Sequence, residues 1–234
     1  MEKYVVLVVG RGKLAAELLG GLSGQSIVRV LPWTERENGG SGPSMVVHAG
    51  SGRELEDVAG FCAKKGSPLL ELSTAGGRLP ASPAFPIVLC PNVNMQMLSF
   101  MAMVKQAAGY FKGQDIRITE SHQAAKSTKP GTAIHLAGSL GVPEDSIRSI
   151  RDPKVQKALG IPGEFLDRHA YHEVLIKSGE VEIRLETRVL GKSAYASGLD
   201  CLIEIIARNP LSAGVHDVVD LVMRDATHHR ADFA

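Results

Sequence analysis

The sequence predicts an α/β protein: a Rossmann-type doubly wound parallel sheet, joined to a smaller α+β domain with an open mixed sheet. Three observations carry this expectation. The first hundred or so residues alternate short apolar runs with helical spacing, in the order β-α-β-β-α-β-β-α. A G-x-G-x-x-A turn, built by Gly10, Gly12 and Ala15, lies between the first strand and the first helix. Beyond residue 95 the pattern changes, and two strands with polar alternation flank a Ser-Gly-Glu turn.

Each element has its own reason. "YVVLVVG" is a near-continuous β-branched run, as expected of a parallel strand buried on both faces. "RGKLAAELLGGLSG" spaces Leu14, Leu18 and Leu22 as a helix and stops in glycine. "SIVRVLPW" and "MVVHAG" read as strands, separated by the polar, glycine-rich connection "TERENGGSGPS". "RELEDVAGFCAKKG" reads as a helix, "SPLLELSTAGG" as a fourth strand with its exit loop, and "FPIVLCPN" as a fifth. A long helix, "MQMLSFMAMVKQAAGYFKG", follows. "DIRITES" is then a strand, "KPGTAIHLAGSLG" a short helix, and residues 141–170 loop-rich, with Pro143, Pro153 and Pro162. In "YHEVLIKSGEVEIRLETRV" the second strand sets Val181, Ile183 and Leu185 against Glu182, Arg184 and Glu186, so one face is expected to be buried. "SAYASGLDCLIEIIARNP" is a helix ended by Asn209-Pro210, and "GVHDVVDLVM" closes the chain.

Composition narrows the function classes. The chain has 234 residues, 44% hydrophobic and 22% charged, with a formal net charge of +1. No global field draws it to nucleic acid or to a membrane surface. Its apolar runs fall far short of the ~20 residues that a spanning helix needs. The N-terminus enters a strand at once, without a leader pattern. Cys62, Cys90 and Cys201 are odd in number and widely spaced, so they are expected to be small buried hydrophobes in a reducing cytoplasm. No metal site is expected. His228 and His229 read as a solvated terminal pair, His169 and His172 as hydrogen-bonded structural histidines within reach of a site, and Trp33 as packing or as the border of an adenosine pocket.

The glycine turn points to a dinucleotide. Gly10 permits the tight turn, Gly12 allows a pyrophosphate to approach the backbone, and Ala15 allows close helix–strand packing. Lys13 and Leu14 open the helix whose terminal N–H groups would face the anion. Glu35 lies where a ribose-binding acid is expected, with Arg36 beside it, so NADH and NADPH both remain open. Gly50 in "HAGSG" and Ser73 and Thr74 in "STAGG" follow the third and fourth strands, where ligands of open α/β sheets bind.

"ESHQAAKSTKPGTA", residues 120–133, gathers a second set of groups. His122 and Lys126 can each supply a proton near neutral pH, and Lys126 also attracts carboxylate. The N–H groups around Gly131 and Thr132, with the Thr132 hydroxyl, can hold a second carboxylate. A small dicarboxylate with a reducible C=C or C=N bond suits this set.

This stretch resembles the E-x-H-H-x-x-K-x-D-x-P-S-G-T-A motif of the 4-hydroxy-tetrahydrodipicolinate (dihydrodipicolinate) reductase family, keeping Glu120, His122, Lys126, Pro130, Gly131, Thr132 and Ala133. "GFCAKKGSPLLELSTAG", "CPNVNMQMLSFMAMVKQAA" and "YASGLDCLIEIIARNPLSAGVHDVVDLV" resemble further family segments, in order, over nearly the whole chain. The resemblance implies NAD(P)H-dependent reduction of dihydrodipicolinate in the diaminopimelate route to lysine. It makes His122 the proton donor, Lys126 its cationic companion, and Gln123, Gly131 and Thr132 substrate contacts. It also places Asn92 and Val93 in the nicotinamide loop.

There are departures. Gln123 replaces a second histidine, Thr128 an aspartate and Val93 a phenylalanine; "STAG" replaces G-T-T-G, and both the Pro-Gly-Thr turn and the phosphate loop are a residue shorter. A relative acting on another imine or amino acid, or a non-catalytic nucleotide binder, stays open on those grounds. The resemblance further implies a dinucleotide domain from residues 1–94 and 208–234, a substrate-binding and oligomerisation domain from 95–207, hinges at the joints and a homotetramer.

Overall fold

The structure is a computed structural model that describes residues 2–73, 79–126, 130–191 and 194–231, with side chains described as far as Ala226. Thr74, Thr128 and the side chains of His228 and His229 lie outside the described residues.

β1 (Tyr4–Val9) is buried along its whole length, as a strand apolar on both faces must be. α1 (Lys13–Gly21), β2 (Ile27–Pro32), β3 (Ser44–His48), α2 (Leu55–Lys65), β4 (Leu69–Glu71), β5 (Pro86–Leu89) and α3 (Met95–Ala107) follow. Then come β6 (Asp115–His122), α4 (Gly131–Leu140), β7 (Arg148–Ile150), α5 (Pro153–Ala158), β8 (His169–Ser178) and β9 (Val181–Leu190). α6 (Ala196–Arg208), β10 (Gly214–Asp217) and α7 (Val218–Ala231) complete the chain.

The chain divides into two compact units, Met1–Ser99 with Tyr195–Ala234, and Phe100–Ala194. The first holds a six-stranded sheet in the order β10-β5-β4-β3-β1-β2, parallel throughout. The sequence expectation set α6 in the second domain, but α6 groups with the first unit. The reason is local: Asp200 accepts from Ser23 N, Glu204 from Gln25 N, and Leu199, Leu202, Ile203 and Ile206 are buried. The second unit holds the sheet β7-β6-β8-β9, in which β6 and β7 are parallel and the other pairs antiparallel.

Four further differences from the sequence reading have plain causes. The connection after β2 is a 3-10 helix, Trp33–Gly39, anchored by Trp33 against Phe61. The loop-rich stretch contains β7 and α5. α5 is started by Asp152, whose side chain accepts from Lys154 N, with Pro153 at the first helical position. Cys201 is exposed on α6, whereas Cys62 and Cys90 are buried. Val181 and Ile183 are 65% and 38% exposed, so that face of β9 is not covered there by the described residues.

Candidate active site

β6 ends in Glu120, Ser121 and His122. Strand alternation puts Glu120 and His122 on one face and Ser121 on the other. Glu120 is fully buried, and the next strand supplies its counter-charge. Arg151, the residue after β7, forks onto the carboxylate: Nη2 to Oε1 at 2.7 Å and Nη1 to Oε2 at 3.0 Å. Its Nε donates to the carbonyl of Lys126 at 3.0 Å, so one guanidinium fixes both the buried acid and the loop that bears the lysine.

Glu120 Oε2 also meets His122 Nδ1 at 2.8 Å. Burial alone would raise the Glu120 pKa, but bonds from His122, Arg151 and Ser149 outweigh it and hold the carboxyl at about 2. A carboxylate there requires the proton on His122 Nδ1, which leaves Nε2 as the outward-facing nitrogen. Gln156 on α5 donates to the His122 carbonyl at 2.7 Å and locks the end of the strand.

His172 on β8 is the cross-strand partner of Glu120, and its ring meets that of His122 edge-on at 5.5 Å. Burial and then the His122 charge lower its pKa to about 3, so it is a neutral wall. Ser121, on the opposite face, bonds His169 Nε2 at 3.0 Å. The His122 pKa is lowered by burial, partly countered by Glu120, and lowered further by Lys126 and Arg151. That of Lys126 is lowered by burial, with Glu120 opposing and Arg151 adding to the shift.

Glu120, His122 and Lys126 are brought together through Arg151. Lys126 is close enough to His122 to lower its proton affinity. The Gln123 carbonyl accepts from Lys126 N at 2.9 Å, and Gly131 and Thr132 form the first turn of α4, with Thr132 buried. Arg151 and Gln156 belong to the same set and are absent from the sequence-based expectation. "IRDPKVQ" carried their signal only as a helix start, with nothing to show that it would pair with β6.

In the first unit, parallel pairing lines up the strand exits along one edge of the sheet: Glu35 and Arg36 beyond β2, Gly10 to Leu14 after β1, Gly50 after β3, Ser73 after β4, and Asn92 and Val93 after β5. Gly10 has φ +131°, and a Cβ there would stand 2.6 Å from Ala49 O, so the protein's own packing demands glycine. Arg36 stacks its guanidinium 4.6 Å over the Trp33 ring and reaches Asp57 at 3.5 Å. Glu35 is exposed at a kink in the 3-10 helix. Asn92 Oδ1 accepts from Asn94 N at 2.8 Å, and Val93 is buried. Among the described residues no cluster of three or more His, Cys, Asp or Glu is placed to hold a metal, and no helix is long and apolar enough to cross a membrane.

Known proteins match this arrangement. The family model for the C-terminus of dihydrodipicolinate reductase matches residues 97–221. The chloroplastic 4-hydroxy-tetrahydrodipicolinate reductase 1 of Arabidopsis thaliana is 30% identical over 188 residues, which is 72% of this chain and 54% of that protein. A probable chloroplastic 4-hydroxy-tetrahydrodipicolinate reductase 1 of Oryza sativa subsp. japonica is 35% identical over 123 residues, 47% of this chain and 36% of the relative. The chain thus spans about half the length of the first of these curated relatives. Among solved structures, the dipicolinate-bound dihydrodipicolinate reductase from Paenisporosarcina sp. TG-14 superposes with a TM-score of 0.63 at 16% identity, covering 92% of this chain and 97% of that one. On the family match and the identity to the plant enzymes together, the chain belongs to the dihydrodipicolinate reductase family.

Proposed function

We propose that the protein reduces dihydrodipicolinate (4-hydroxy-tetrahydrodipicolinate) to tetrahydrodipicolinate with NADH or NADPH. The observation that carries this is the Arg151–Glu120–His122 chain with Lys126 beside it. A buried carboxylate, neutralised from behind, orients an imidazole next to an ammonium.

The first unit fits a nicotinamide dinucleotide. A Cβ added at Gly12 would meet nothing within 4 Å, so this glycine is not required by the protein's packing and leaves the backbone open to a phosphate. No side chain caps the α1 N-terminus and its first turn holds no acid, so its N–H groups are available to an anion. Lys13 is exposed there, with Leu14 half-buried beneath it. Glu35 suits ribose hydroxyls and Arg36 a 2′-phosphate, which is why either nucleotide is expected. Gly50, Ser73, Thr74, Asn92 and Val93 complete the cofactor set.

Bound nicotinamide supplies the hydride. Lys126 attracts one substrate carboxylate; Gly131, Thr132 and Gln123 hold the other. In the free protein burial, and then the neighbouring Lys126 and Arg151, oppose protonation of His122. A bound dianion offsets them and raises its proton affinity, so His122 Nε2 and Lys126 Nζ become the two candidate donors to the reduced ring. The second unit, residues 100–194, would bind the substrate, and the first, residues 1–99 with 195–234, the cofactor. We read the exposed face of β9 as the seam of a homotetramer, and the three free thiols as fitting a reducing compartment such as the cytoplasm. Oxidation of NADH or NADPH on addition of freshly generated dihydrodipicolinate tests the reaction. Light scattering at micromolar concentration tests the assembly, and a monomeric mass would contradict it.

A further inference from the structure

His48 closes β3 and Glu71 closes β4; they are register partners in the parallel pairing. Both are buried, His48 completely. The imidazole Nδ1 lies 2.9 Å from one Glu71 carboxylate oxygen and 2.8 Å from the other. Glu71 Oε1 also accepts from the N–H of Ser73, two residues beyond β4, at 2.7 Å. On the far side of the ring, Nε2 is buried without a hydrogen-bond partner, and a Cβ on Gly50 would stand 2.9 Å from it. The imidazole is therefore wedged between a carboxylate that holds Ser73 and the backbone of Gly50.

A buried ionisable pair is a poor way to stabilise a sheet, because well-packed apolar residues of similar volume do as well or better. Its place in the fold gives it another use. We infer that His48 and Glu71 are positioning residues for the nicotinamide cofactor: the pair sets Gly50 and Ser73 at the spacing the nucleotide requires. The inference rests on the reading that the first unit binds NAD(P)H. It concerns the nucleotide alone, so its test needs no turnover.

The experiment is titration of NADH and NADPH fluorescence against the whole chain and its His48→Ala, His48→Asn, Gly50→Ala and double His48→Ala/Gly50→Ala variants, each checked for folding by circular dichroism. His48→Ala leaves the buried Glu71 carboxylate with the Ser73 N–H but without its imidazole partner, and is expected to weaken nucleotide binding about tenfold. Asparagine can still donate to Glu71, so His48→Asn should recover binding to within about threefold of the wild type. Gly50→Ala should weaken binding because its methyl meets the ring. In the double variant the ring is gone, so the two losses should fall short of adding. If His48→Ala does not fold, the asparagine and Gly50 variants decide. Variants within about twofold of the wild type, or an asparagine variant as weak as the alanine one, would overturn the inference. A wild-type chain that binds neither nucleotide would remove the cofactor reading and the inference with it. Wild-type binding with unchanged variants would remove the inference alone.

Discussion

The two units carry their chemistry in different ways. In the first, the candidate contacts are mainly backbone: glycines and N–H groups at parallel strand exits, aligned because every strand runs the same way. In the second, side chains on one face of a mixed sheet interlock, with Glu120 held by Arg151 and holding His122. A backbone site tolerates changes of side chain provided they stay small. A side-chain site depends on each charge having its partner. Substitutions in the second unit should therefore act on rate and stability, and leave nucleotide affinity alone.

The largest expected effect is on rate. Lys126→Ala should lower kcat by about 10²–10⁴-fold, the usual worth of general acid help, with nucleotide Kd unchanged. His122→Ala should behave alike. Full turnover by Lys126→Ala would make the lysine a surface residue and break the comparison.

Next comes stability. Arg151→Ala strands a buried carboxylate and should cost about 3 kcal/mol in chemical denaturation. A loss near zero would mean that solvent, not Arg151, balances Glu120.

The third effect is acid sensitivity. His172 has a folded pKa of about 3 against an unfolded value near 6.5. Its folded pKa is depressed, so its contribution is fully present above about pH 6.5 and is lost as pH falls toward 3. Glu120, held at about 2, adds a second loss as pH falls below about 4.3. His172→Asn should flatten the melting-temperature profile between about pH 6 and 4; an unchanged slope would place the titration elsewhere. The smallest effect is Thr132→Val, expected to raise KM for the dicarboxylate by roughly threefold with kcat preserved, since it removes a contact common to ground and transition states.

The same contrast explains what the sequence could tell. Gly10, Gly12 and Ala15 announced a strand-turn-helix because that geometry is local, and β1 announced itself by being apolar on both faces. His122 and Lys126 were legible because they lie in one short segment. Arg151 and Gln156 were not. Their role depends on β7 pairing beside β6, and a three-residue strand leaves almost no periodicity to detect. His48 and Glu71 were hidden for a related reason: a buried acid or histidine inside an apolar run has no signature until its register partner is known. Val181 and Ile183 misled because alternation marks a face without saying whether this chain covers it.

In the proposed reaction the side-chain site of the second unit works on the ring of a dicarboxylate while the first unit presents the nucleotide. The most direct measurement is the absorbance decay of NADH and of NADPH on addition of freshly generated dihydrodipicolinate, for the wild type and Lys126→Ala side by side. Substrate-dependent oxidation of at least one nucleotide is expected from the wild type, with at least about a hundredfold slower decay in the variant. Binding of nucleotide without oxidation by the wild type, or equal rates in the two proteins, would contradict it.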